Sequence, residues 1–121
     1  MILNRIEPAV LQLIEVYSTR AGAIFQSDCD ECWYVHFGGK IVRLNYHSLK
    51  SLKYRVENIC VETLLLDPCK GNDYEIISVG ARNHFYILSA MEILDFKELL
   101  QGTFVMLKLN HLIKDCLCRV I

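Results

Sequence analysis

Proline and glycine are scarce, two and six in 121 residues. That scarcity excludes collagen-like and linker-rich chains, and no stretch has the composition of a hinge between two domains. Long apolar runs are missing as well. The most apolar stretches, residues 61–66 and 104–107, are bounded by charge and far shorter than the ~20 residues of a membrane helix. Also absent are the signatures of enzymes. There is no Ser-His-Asp pattern, paired-carboxylate pocket, dinucleotide fingerprint or P-loop, and Gly38-Gly39-Lys40 reads as a hairpin turn rather than part of a phosphate loop. A non-enzymatic binding or interaction module is the expectation. The first residues, Met1-Ile2-Leu3-Asn4-Arg5-Ile6-Glu7, lack the basic-then-apolar order of an export signal. A cytoplasmic setting follows as the default, with the six cysteines as thiols rather than a disulfide framework.

What the chain does have is apolar mass. It is 53% hydrophobic and 22% charged, with a mean hydropathy of +0.26. A single domain of this size buries roughly two-thirds of its unfolded surface, enough for one core without metal or disulfide. The apolar excess points to a surface shared between subunits, so a homo-oligomer is expected and a membrane protein is not.

The net charge of −1 hides an uneven distribution. Residues 32–56 carry five bases (Lys40, Arg43, Lys50, Lys53 and Arg55) and no acid, whereas residues 1–31 carry five acids and two bases.

The pattern predicts an α+β fold of antiparallel hairpins with two or three helices packed over one face. Trp33 to Phe37, the Gly38-Gly39 turn and Lys40 to Leu44 read as a hairpin, with Val42 and Leu44 directed to the core and Ile41 and Arg43 to the other face. Asn45 then suits a helix N-cap, followed by Leu49, Leu52, Val56 and Ile59 at helical spacing. The second half repeats the order. Tyr74 to Val79 and His84 to Leu88 are strand-like about Gly80-Ala81-Arg82-Asn83. Ser89 and Glu92 form a capping box before the stripe Ile93, Phe96, Leu100. Two similar ββα units are therefore expected, with helices near 46–58, 90–101 and 104–118. Gly102 either breaks or kinks the last stretch. Residues 61–66 are assigned to a strand. Glu15-Val16-Tyr17 and residues 23–26 about Thr19-Arg20-Ala21-Gly22 favour a hairpin over a helix. At the C-terminus Leu109, Leu112, Ile113, Cys116, Leu117 and Val120 share one helix face. Burial of the four leucine and isoleucine side chains among them is expected to contribute about 1.5–3 kcal/mol each.

Tyr17-x-Thr19-x-x-Gly22-x-Ile24-x-Gln26, Cys29-x-x-Cys32, Val35-x-Phe37-Gly38 and Val42-x-Leu44 together resemble a family of small bacterial proteins found mainly in Bacteroidetes. Leu88-Ser89-x-x-Glu92 with Leu99-Leu100 resembles that family's leucine-rich end. The likeness covers roughly residues 16–52 and 86–113. Gly39 departs from it, standing where Asn or Thr is expected. The resemblance implies a small α+β domain and no known activity, so it assigns no functional residue.

Two groups of residues invite a chemical reading. Cys29 and Cys32 have the spacing of a metal knuckle, which would make this a small metal-binding protein. However, a structural zinc needs four ligands and no second C-x-x-C exists. Cys116 and Cys118 would point about 160° apart on a helix. A redox role fits poorly, because Asp28, Asp30 and Glu31 would raise the thiol pKa. No metal ligand or cofactor is therefore assigned. The basic segment is the other candidate: Lys40, Arg43, Lys50 and Lys53, with His47 and Arg55, interleaved with Trp33, Tyr34, Tyr46 and Tyr54. Cations neutralise phosphate and aromatic faces stack on bases, so binding of nucleic acid or an anionic ligand is the alternative reading, with nucleic acid unsupported by the net charge of −1. The same residues would also make an ordinary solvated helix face.

Overall fold

The computed structural model describes residues 13–27, 31–66, 74–79 and 84–120, with side chains of the last segment through Leu117. The turn expected at Gly80-Ala81-Arg82-Asn83 and the first cysteine of the C-x-x-C pair, Cys29, lie outside these residues. Four strands form an antiparallel meander in the order β1 (Leu13–Ser18), β2 (Gly22–Ser27), β3 (Trp33–Phe37), β4 (Lys40–Leu44). Helix α1 (Tyr46–Glu57) and the short α2 (Val61–Leu66) follow. A two-stranded sheet, β5 (Tyr74–Val79) and β6 (His84–Ser89), then leads into α3 (Ala90–Val120). The fold is α+β, and the hairpin-then-helix order occurs twice.

Local chemistry accounts for most boundaries. Gly38 and Gly39 both adopt positive φ, 63° and 75°, the requirement of a two-residue turn whose twist matches its strands. Asn45 Oδ1 accepts a hydrogen bond from the Ser48 amide at 2.8 Å, capping α1. At α3 the capping box closes reciprocally: the Ser89 amide donates to Glu92 Oε1 (2.9 Å) and the Glu92 amide to Ser89 Oγ (3.3 Å). Arg55 Nη1 donates to the Ser78 carbonyl at 2.7 Å, tying α1 to β5.

The core lies where the inner faces of both sheets meet α1 and the first half of α3. Ile24, Val35, Val42 and Leu44 come from the meander. Leu49, Leu52 and Val56 come from α1, Val79 and Leu88 from the second sheet, and Ile93, Phe96, Leu99 and Leu100 from α3. Strand alternation holds on β4, where Val42 and Leu44 are buried while Ile41 and Arg43 face outward. The N-terminal hairpin is present. It carries one bulge, because β1 inserts an extra residue between Glu15 and Tyr17 relative to β2.

Three expectations need correction. Residues 61–66 are a helix, not a strand. A short apolar run carries no period that separates the two, and its three leucines are good helix formers. Val61 and Leu64 pack on the core from one side of the turn. Second, Gly102 does not interrupt α3, which runs continuously for 31 residues. Its missing side chain serves packing instead, because a Cβ there would overlap the Tyr17 ring of β1. Third, the C-terminal stripe is not buried within the chain. Leu109, Leu112, Ile113 and Leu117 are 46–60% exposed, since α3 outruns the sheets it covers.

Two consequences can be measured. Replacing a mid-helix glycine with alanine ordinarily stabilises by about 0.5–1 kcal/mol. Here Gly102→Ala is expected to destabilise by about 1–3 kcal/mol, read from the denaturation midpoint; a gain in stability would show that Tyr17 does not bear on the helix. Tyr86 is buried, its hydroxyl has no partner among the described residues, and burial pushes its pKa up to about 12. A folded-state pKa above the unfolded one means stability that is present below pH 10 and lost as pH rises towards about 12. Tyr86→Phe should keep the neutral-pH melting temperature and lose less of it than the wild type over that alkaline range. Equal losses would rule out Tyr86 as the group responsible.

Candidate functional site

A concavity of about 700 Å³ lies between α1 and the middle of α3. Its size falls within the range of small-molecule sites. Trp33 of β3 lines it, together with Tyr46, Lys50, Lys53, Tyr54 and Glu57 of α1 and Phe104, Leu107, Lys108 and His111 of α3. Helical spacing explains the α1 contribution. Tyr46, Lys50, Lys53, Tyr54 and Glu57 recur at three and four residues, so they share a face. Leu49, Leu52 and Val56 anchor the other face in the core.

The aromatic rings form a connected wall. Trp33 and Tyr46 have centroids 5.5 Å apart, and Tyr46 and Phe104 6.0 Å apart, both pairs tilted. Trp33 is only 8% exposed, and its indole N–H has no hydrogen-bond acceptor among the described residues. An acceptor placed there would satisfy a donor whose burial otherwise costs about 1–3 kcal/mol.

The charges sit at the rim. Lys53 Nζ lies 5.4 Å from the Phe104 centroid and 2.8 Å from Glu57 Oε2, so one ammonium is stacked and partly neutralised. Lys50 and Lys108 have no ion-pair partner among the described residues, and His111 approaches Asp115 at 3.8 Å. The balance of the groove is cationic over an apolar wall.

The four sequence candidates separate. Lys50 and Lys53 meet in the groove, but Lys40 and Arg43 do not line it. Lys40 donates its ammonium to the Phe85 carbonyl and lies 5.6 Å from the Tyr86 centroid, clamping β6 against the start of β4. Arg43 is on the outer face of the meander, opposite Tyr34 on β3. Alternation of strand side chains sends Arg43 away from α1, and no helix spacing could bring it back. Phe104, Leu107, Lys108 and His111 were missed. Their spacing of three, four and seven marks one α3 face, but from sequence Phe104 and Leu107 read as part of an apolar run and Lys108 and His111 as solvated positions. Arg55, also in the basic segment, is committed to Ser78.

Cys32 lies just before β3 and is half-buried. Among the described residues, no three His, Cys, Asp or Glu side chains converge as metal ligands. Cys60, exposed ahead of α2, has its thiol pKa lowered chiefly by a hydrogen bond with Thr63. No described helix is long and apolar enough to cross a membrane. Compared with known proteins, the chain matches no family model, and neither a curated protein nor a solved structure is significantly similar to it.

Lys40 thus has a structural task, with a test of its own. Lys40→Ala should lower stability by about 1 kcal/mol, through loss of one hydrogen bond and one cation–π contact. Trp33 emission should be unchanged, and a spectral shift would mean that Lys40 bears on the groove after all.

Proposed function

We propose that the protein is a cytosolic, non-enzymatic binding module whose groove between α1 and α3 takes a small ligand with a planar ring and an anionic group. One observation carries this reading: Trp33, Tyr46, Tyr54 and Phe104 converge with Lys50, Lys53 and Lys108 in a single 700 Å³ concavity. Rings of this kind stack on a planar partner, and ammonium groups at the rim meet its charge. The free indole N–H of Trp33 adds a donor for a ring or carboxylate acceptor. The free thiols Cys32, Cys60 and Cys116 suit a reducing compartment. A single ligand is favoured over a long nucleic-acid strand, because a net charge of −1 offers no extended track for phosphates.

Trp33 is the chain's only tryptophan, so its emission reports directly on the groove. Anilinonaphthalene sulfonate, a planar aromatic anion, is expected to change that emission saturably, and its uncharged phenylnaphthylamine counterpart more weakly. Lys50→Glu with Lys53→Glu should weaken the sulfonate about tenfold, equivalent to about 1.4 kcal/mol, with little effect on the uncharged probe. Equal binding of the two probes, or a response indifferent to both substitutions, would remove the anionic part of the proposal. A flat response would remove the site.

A further inference from the structure

The outer side of α3 presents a seam that no other described residue covers. Phe104, Met106 and Leu107 are the last side chains that pack on the core, and from Lys108 through Leu117 every residue is exposed. Residues 108–120 extend the helix by roughly 20 Å, about the length at which an isolated helix is marginal in water. Along this tail Val105, Leu109, Leu112 and Cys116 recur at intervals of four, three and four, the spacing of a coiled-coil seam. Val105 is 63% exposed, Leu109 46% and Leu112 50%. Thr103, facing the core, and Val105 are about 200° apart by helix periodicity, so the seam looks away from the body of the domain.

We propose that the occupant of this seam is a second copy of the chain, with the two α3 helices antiparallel about a twofold axis near Asn110 and His111. Three features favour this partner. In that register Leu109 meets the partner's Leu112 and Val105 meets the partner's Cys116, so every seam position finds an apolar counterpart. The flanking charges are complementary: Lys108 falls beside the partner's Asp115, and symmetry repeats the pair. On the other flank Met106 faces the partner's Ile113, both apolar. A parallel pairing would instead set Lys108 against isoleucine and leave its charge unmatched. The exposed leucines would form the apolar centre of such an interface, with the charged flanks at its polar rim. This inference does not rest on the identity of the groove's ligand, and Leu112→Glu tests it at a position outside the groove.

Sedimentation equilibrium of the full chain at tens of micromolar should return twice the 14.0 kDa of one chain. Leu112→Glu, a change at an exposed position, should return a single-chain mass while the near-ultraviolet dichroism of the core persists. Lys108→Glu and Asp115→Lys should each weaken association several-fold, and the two together should restore it to within about twofold at low salt. Oxidised Val105→Cys should give an inter-chain 105–116 linkage in peptide mass spectra, the signature of the antiparallel register. A single-chain mass for the unaltered protein would leave the seam to another protein or to residues 1–12 and would overturn the proposal. So would a dimer indifferent to Leu112→Glu, or a charge swap that does not restore association.

Discussion

Three aromatic rings hold the two sheets and the long helix in one body. Phe37 of β3 and Phe96 of α3 lie nearly parallel, with centroids 4.2 Å apart and planes 5° from coplanar orientation. Tyr86 of β6 meets both edge-on, at 6.1 Å from Phe37 and 5.1 Å from Phe96. Each ring comes from a different element, so this contact is where the meander, the second sheet and α3 are mutually fixed. Ring pairs in such orientations add about 0.5–1.5 kcal/mol each beyond the area they bury. A two-stranded sheet does not persist alone in water. The β5–β6 pair therefore depends on this cluster and on the Lys40 and Arg55 contacts that tie it to β4 and α1.

The groove follows from the same constraint. With Phe96 pinned on Phe37, and with Gly102 letting α3 pass close over Tyr17, the helix axis is committed along the meander. Phe104 and Leu107 then arrive beside α1. Tyr46 bridges Trp33 and Phe104, and every described residue of the groove wall comes from a strand or helix. Lys53 lies over the Phe104 ring while paired to Glu57, which holds a cation at the rim without burying it. The site is built on rigid elements, and a ligand there would meet rings already in place.

The uncovered seam of α3 has the opposite origin. The helix is longer than the surface beneath it, so its last turns take no support from the core. Groove and seam share this helix but occupy different sides of it. Lys108 stands between them, able to face α1 or a neighbouring helix.

Much of this was legible in the residues. Periodicity placed Leu49, Leu52 and Val56 inward, Asn45 and Ser89 at helix starts, and two glycines at a positive-φ turn, because these features depend on a few neighbouring residues and their intrinsic preferences. Lys50 and Lys53 were legible as one face for the same reason. Tertiary structure alone decided the rest. Residues 61–66 became a helix because Val61 and Leu64 found the core from one side of a turn. Gly102 stayed helical because a neighbouring ring needed its empty side. Lys40 was drawn to the β6 backbone, and Lys108 and His111 were brought opposite α1. Each of these outcomes depends on which distant element lies within a few ångströms, and a local pattern of polar and apolar residues carries no record of that distance.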